Sequence, residues 1–194
     1  MCIAPKFIFF LALALVLLGC HAVLTSVPIP DTYSTYYWGT VTGTRQGDEL
    51  RNARISAASR VPCTAYAFDV TVTEFDDDGE KLATLTLFNI PKKAGSLTKF
   101  KVDYRTLYCG SDSIGCTYTT LSNKMPWGTY KPVIGSDTQL SIQSFDEVSG
   151  EIKGTFSVRM IPDQIYDATA PSLLLFKNVK FLTKLKYSNG TYKK

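Results

Sequence analysis

Histidine is nearly missing from this chain: of its 194 residues only His21 carries an imidazole. That residue lies next to Cys20 in a Thr- and Pro-bearing stretch, outside every segment patterned like a folded domain. The scarcity excludes Ser-His-Asp and Cys-His catalysis, which need an imidazole to carry the proton. It also excludes histidine-bearing zinc sites, and Cys63, Cys109 and Cys116 alone make a poor zinc set. No metal and no cofactor is expected. Charge of one sign is lacking too: 21 basic against 17 acidic residues leave +4, too little to expect nucleic acid as a partner. Long apolar runs are limited to Phe7–Leu18, whose 12 residues fall short of the roughly 20 a spanning helix needs. Beyond that run no segment shows ten residues of helical periodicity with caps, so a helical domain is not expected.

What is present begins with Lys6, the apolar run, and then Leu17-Leu18-Gly19-Cys20. A small residue before a cysteine at the end of such a run is the lipobox pattern, in which the thiol is diacylated and the leader is cut off before it. Leu18 departs from the smaller residue usual there. A second pattern competes: Cys20-His21-Ala22 would let an ordinary signal peptidase cut after Ala22 and release a soluble secreted protein. The lipobox is the more specific coincidence. Each buried acyl methylene contributes about 0.8 kcal/mol, so several chains on Cys20 would anchor the protein stably. The expected organisation is a lipoprotein signal peptide over 1–19, a lipid anchor and tether over 20–35, one β-domain over 36–188 and a basic tail over 189–194. Val27-Pro28-Ile29-Pro30 favours extended backbone in the tether.

The domain reads as strands. In Ile152–Met160, Ile152, Phe156, Val158 and Met160 share one face while Lys153, Thr155, Ser157 and Arg159 share the other, the period of a half-buried strand. Gln139–Gln143 alternates likewise, and Asp146–Gly150 supplies turn chemistry between them. A second hairpin is expected over 64–90, with Tyr66, Phe68, Val70 and Val72 on one face, Leu85 and Leu87 across from them, and Asp76-Asp77-Asp78-Gly79 as the turn. The last strand, 176–187, points Val179, Phe181, Leu185 and Tyr187 inward and Asn178, Lys180, Lys184 and Lys186 outward. Further strands are expected at 36–43, 52–57 and 97–105. About eight short strands with turns between them imply an all-β domain, an antiparallel β-sandwich or barrel-like fold.

The segment FDEVSGEIKGTFSVRM (145–160), with TQLSI before it and FKNVKF (176–181) after it, resembles the C-terminal signature of small uncharacterised Bacteroidetes-type lipoproteins. The resemblance implies an all-β lipoprotein domain with an envelope address, and that family has no established activity to carry over. It implies attachment to a bacterial membrane, the outer membrane, with the periplasmic and the surface face both open. Gly154 matches the motif, and a glycine inside a strand marks a bulge or a close backbone approach.

Candidate sites are few. Cys109 and Cys116 enclose six residues in an exported protein, and a disulfide between them is the expected pairing, leaving Cys63 as a buried thiol or a competing partner. Glu74–Gly79 has the acids of a calcium loop, but position twelve is Leu85, so an exposed turn is expected. Tyr104, Tyr108, Tyr118, Trp127 and Tyr130 crowd the region around the cysteines and are candidates for stacking on sugar or meeting a protein partner, against the plain alternative of sheet packing. The lysines from 177 onward suit a solvated strand face that resists edge pairing, or contact with anionic headgroups. The expected function is that of a lipid-anchored envelope module, attached to the membrane through Cys20, that either binds a ligand such as a carbohydrate or a protein or serves structurally, without catalysis. The rival is an envelope carbohydrate-active hydrolase, which needs two carboxyl groups facing each other across a cleft.

Overall fold

The computed structural model describes residues 36–186 apart from 61, 62, 64, 98, 102–108, 110–112, 124, 136 and 167. Cys20, the leader, the tether and the basic tail lie outside the described residues. Twelve strands follow in chain order: β1 (Gly39–Arg45), β2 (Asp48–Glu49), β3 (Ala53–Ser59), β4 (Ala67–Phe75), β5 (Lys81–Pro91), β6 (Gly95–Leu97), β7 (Phe100–Lys101), β8 (Ile114–Ser122), β9 (Met125–Pro132), β10 (Gln139–Phe145), β11 (Glu151–Ile165) and β12 (Leu174–Lys186). The protein is all-β, as its period-two patterning requires. Among the described residues no helix is long and apolar enough to cross a membrane.

The pairings close on themselves. Following hydrogen-bonded neighbours from β12 leads through β3, β4, β5, β8, β9 and β11 and back to β12, a barrel-like ring. Closure removes the open edges that an isolated sheet would present. The two longest strands make it possible by changing partners along their length. The first half of β11 pairs with β10 and its second half with β9, while β12 pairs with β1 and then, at Leu185 and Lys186, with β3. The β12–β3 contact is parallel, as is β7–β8, so the sheet is mixed where uniform antiparallel pairing was expected.

Both predicted hairpins are present, and an aspartate organises each turn. The Asp76 carboxylate accepts from the amides of Asp78 and Glu80 at 3.0 and 2.8 Å, and that of Asp146 accepts from Val148 and Ser149 at 2.8 and 3.2 Å. The acids of the calcium-like run thus close their own turn. Phe68, Val70 and Val72 face inward against Leu85 and Leu87, whereas Tyr66 sits exposed in the turn ahead of β4. Of the expected inward set of β12, Val179, Phe181 and Leu185 are buried, together with Thr183 and Phe176, and Tyr187 lies outside the described residues. Phe176 and Val179 are three apart, and strict alternation would put them on opposite faces. Lys177 and Asn178 are both exposed between them, Asn178 adopts φ 51°, and the pairing with β11 shifts there, so a bulge resets the phase.

The expected Cys109–Cys116 disulfide is not formed. Cys109 bonds to Cys63, with Cα atoms 5.1 Å apart, and Cys116 is a buried free thiol. The reason is strand phase: Cys116 lies in β8, opposite Leu87 and two residues from buried Tyr118, so its side chain points into the core. Cys109 is exposed outside that strand, within reach of the turn where the Cys63 carbonyl accepts from the amides of Tyr66 and Ala67. Bridging residues 46 apart in sequence stabilises a fold by about 4 kcal/mol in the chain-entropy account. Burial pushes the Cys116 thiol far above its ordinary range, which keeps it an inert hydrophobe.

Candidate functional site

The five aromatic candidates do not form one site. Tyr118 and Tyr130 are each 1% exposed and pack edge-on at 5.9 Å, with Tyr118 also 5.2 Å from Phe176. They are core residues because β8 and β9 pair in a register that sets Tyr118 opposite Tyr130 on the inner face. They therefore cannot line a surface patch, which corrects the expectation. Tyr104 and Tyr108 lie outside the described residues. Trp127 alone is confirmed at the surface, 44% exposed.

Trp127 has companions that were not foreseen. Met125, two residues earlier in β9, is 68% exposed but lies beyond a bulge in the β8–β9 pairing that changes the phase of the strand, and Tyr166 is 70% exposed. Ile165 pairs with Gly128, and the Tyr166 amide donates to the Trp127 carbonyl at 3.3 Å, so the continued register brings Tyr166 opposite Trp127. Residues directly opposite in an antiparallel pair project to the same side. Gly128 permits the close approach: a Cβ there would stand 2.8 Å from Ile165 Cδ1. Lys131 and Asp163, joined at 2.9 Å, flank this patch with an ion pair. An exposed indole and phenol, edged by charge, offer apolar area with polar tips, the chemistry that stacks on a sugar face or anchors a protein contact. Tyr166 escaped the sequence because Pro162 argues against a continuing strand. In the fold Pro162 pairs with Tyr130 next to a bulge at Asp163, a place in a sheet where proline is tolerated, and β11 runs on past it.

A carboxylate pair is the requirement of the hydrolase reading. Glu74, buried at the inner face of β4, is 2.9 Å from the Arg45 guanidinium and accepts a hydrogen bond from the Tyr118 hydroxyl at 3.2 Å. Burial pushes the Glu74 carboxyl up, opposed by Arg45 and by the Tyr118 hydrogen bond. Burial likewise raises Tyr118, which therefore stays protonated and keeps donating. A cavity of about 180 Å³ opens over this group, and its other acid is Glu49. Glu49 is largely exposed and 3.5 Å from Arg51. Two ion-paired carboxylates, one sealed and one bathed in water, divide poorly into the acid and the base or nucleophile that glycoside hydrolysis asks for. The Arg45, Glu74 and Tyr118 group reads as a satisfied internal tie between β1, β4 and β8.

Compared with protein families, with characterised proteins and with solved structures, the chain shows no match.

Proposed function

We propose that the protein is a lipid-anchored module of the bacterial cell envelope, held by an acylated Cys20, that binds a ligand without converting it. The observation that carries the binding reading is the exposed pair Trp127 and Tyr166, set opposite each other by the β9–β11 register. Large apolar side chains in such an arrangement are costly to leave in water unless something covers them. The ligand class is a carbohydrate or a protein of the envelope, both of which use stacked aromatic contacts. The address rests on the apolar run that ends in Leu17-Leu18-Gly19-Cys20, and on the resemblance to envelope lipoproteins.

The test is binding of the purified chain to an array of envelope glycans, with Trp127→Ala and Tyr166→Ala alongside, and photo-crosslinking from position 166 in cells. Glycan binding lost in both variants, or a specific crosslink to one envelope protein, supports the patch. Glycan binding unchanged in the double variant, or hydrolysis of a glycan that persists in it, removes it.

A further inference from the structure

The opposite half of the β11–β12 pair has a different surface chemistry. Tyr36 and Trp38 lie where the described chain begins, and each ring lies beneath a lysine of β12. Lys186 Nζ is 4.5 Å from the Tyr36 ring centre and Lys184 Nζ 5.6 Å from that of Trp38. Two backbone ties fix the segment: the Trp38 amide donates to the Ile55 carbonyl at 3.1 Å, and Thr183 Oγ1 donates to the Trp38 carbonyl at 3.0 Å. Lys180 and Lys153 continue the positive face along the neighbouring rows, and a shallow basin of about 230 Å³ opens between them beside Thr42 and Thr155. Among the described residues the acids beside this surface are Glu151, 3.4 Å from Lys153, and Asp146 and Glu147 of the turn whose Gly150 carbonyl accepts from the Leu185 amide. Lys180, Lys184 and Lys186 lie along the outward row of β12, which holds no acid, so that row is basic with two aromatic rings at its edge.

We propose that this end of the barrel docks on an anionic lipid bilayer, turning the Trp127 and Tyr166 pair away from it. The inference rests on the lipid-anchor reading only for the local concentration that the anchor supplies. Three features point to a membrane rather than to another occupant. Indole and phenol rings settle at the headgroup level, where one part of the ring is dry and the other wet. Lysines near an anionic surface each contribute roughly 1 kcal/mol, a fivefold gain in affinity. The chain between Cys20 and Tyr36 also ends within this surface, so the tether leaves the domain from the side that would meet the bilayer. Its fifteen residues (21–35) reach up to about 50 Å when extended, too far to orient the domain alone. Tethering turns a weak face contact into an intramolecular one, which is how such a surface can act. The distal patch then stands at the far end of the 15-residue strand β11, up to about 50 Å along the chain.

The two tryptophans of the chain report on this directly, because one lies at each end. Full-length Trp127→Phe leaves Trp38 as the sole indole, and Trp38→Phe leaves Trp127. Each is bound to vesicles of phosphatidylglycerol carrying brominated acyl chains, which quench nearby indoles, once as the acylated protein and once with Cys20→Ala. The expected result is strong quenching of Trp38 and little of Trp127. In the Cys20→Ala background, changing Lys180, Lys184 and Lys186 to Gln should lower vesicle affinity by up to roughly a hundredfold and abolish Trp38 quenching. Phosphatidylcholine vesicles should reproduce the loss without any substitution. Equal quenching of both indoles, an unquenched Trp38 in the acylated protein, or lysine variants that bind as before each overturn the docking. Fatty-acid labelling of the same preparations reads the anchor separately. A chain that takes no label yet shows lysine-dependent quenching of Trp38 removes the anchor and keeps the face.

Discussion

The two halves of the β11–β12 pair are held and finished differently. At the half nearer Tyr36, β12 reaches β3 in parallel pairing, the Cys63–Cys109 bridge lies just past the end of β3, and the outer face is lysine and aromatic. At the other half, the tie is the Arg45, Glu74 and Tyr118 group packed beside Phe176, and the outer surface carries Met125, Trp127 and Tyr166. One end is stapled covalently and carries lysines on its outer face, and the other is joined by polar side chains and carries exposed rings at the same end as the acidic 76–80 turn. The contrast teaches that a seven-strand ring with a filled interior leaves ligand chemistry to its outside. Tyr118, Phe68, Phe156 and Phe176 occupy the space that a wider barrel would offer a ligand.

The sharpest way to break the contrast is to remove the staple. Cys63→Ala should lower unfolding free energy by about 3–4 kcal/mol in urea, and reduction of the wild type should match it. Cys116→Ala should cost less, about 1–2 kcal/mol, as the loss of one small buried group. Equal costs at the two positions would reverse the assignment of the bridge.

Next in size is the polar tie. Glu74→Gln removes the charge facing Arg45 and should cost about 1–3 kcal/mol at neutral pH. It should also change the pH dependence. The Glu74 and Asp69 carboxyls are both raised, first by burial, against the lowering effect of Arg45 and Tyr118 on the one and of the Asn89 amide and Arg60 on the other. The folded chain therefore holds these protons more tightly than the unfolded chain. Their contribution is fully present below the ordinary carboxylate range and is lost as pH rises through the folded values. Urea midpoints across that range should slope downward with rising pH in the wild type and less so in Glu74→Gln. An unchanged slope would mean that Glu74 does not titrate there.

Two strand glycines, one on each half, set the last comparison, which ends on the smallest expected effect. A Cβ on Gly154 would stand 2.5 and 2.8 Å from the Phe181 ring and 2.9 Å from the Ser141 carbonyl, so ring and backbone would both have to move. Gly154→Ala should cost about 1–3 kcal/mol. At Gly128 the nearest atom is the Cδ1 tip of Ile165, which can rotate away, so Gly128→Ala should cost under about 1 kcal/mol. The reverse order, read by thermal unfolding, would contradict this account of the two halves.

Much of this fold was legible in the sequence, because period-two burial is a local signal. The 145–160 segment, its Asp146 turn and the burial of Val179, Phe181 and Leu185 in β12 were all readable from alternation. Gly154 was also readable as a close-approach position, though only the register shows that Phe181 lies over it. What escaped was non-local. The β8–β9 hairpin was obscured because Cys109 and Cys116 looked like the ends of a loop, although Cys116 and Tyr118 share a phase that buries both. The Cys63 partner depends on which turn folds back beside Cys109, and sequence spacing cannot express that. Tyr166 belongs to the patch only because β11 runs on past Pro162, and Tyr118 and Tyr130 leave it because their strands face them inward.

The central claim is the tether, and the mass of the mature amino terminus tests it most directly. Protein extracted from its native membrane should show an intact mass equal to residues 20–194 plus acyl groups on Cys20, and Cys20→Ala should abolish them. A mass corresponding to an unmodified chain beginning at Val23 would contradict the account.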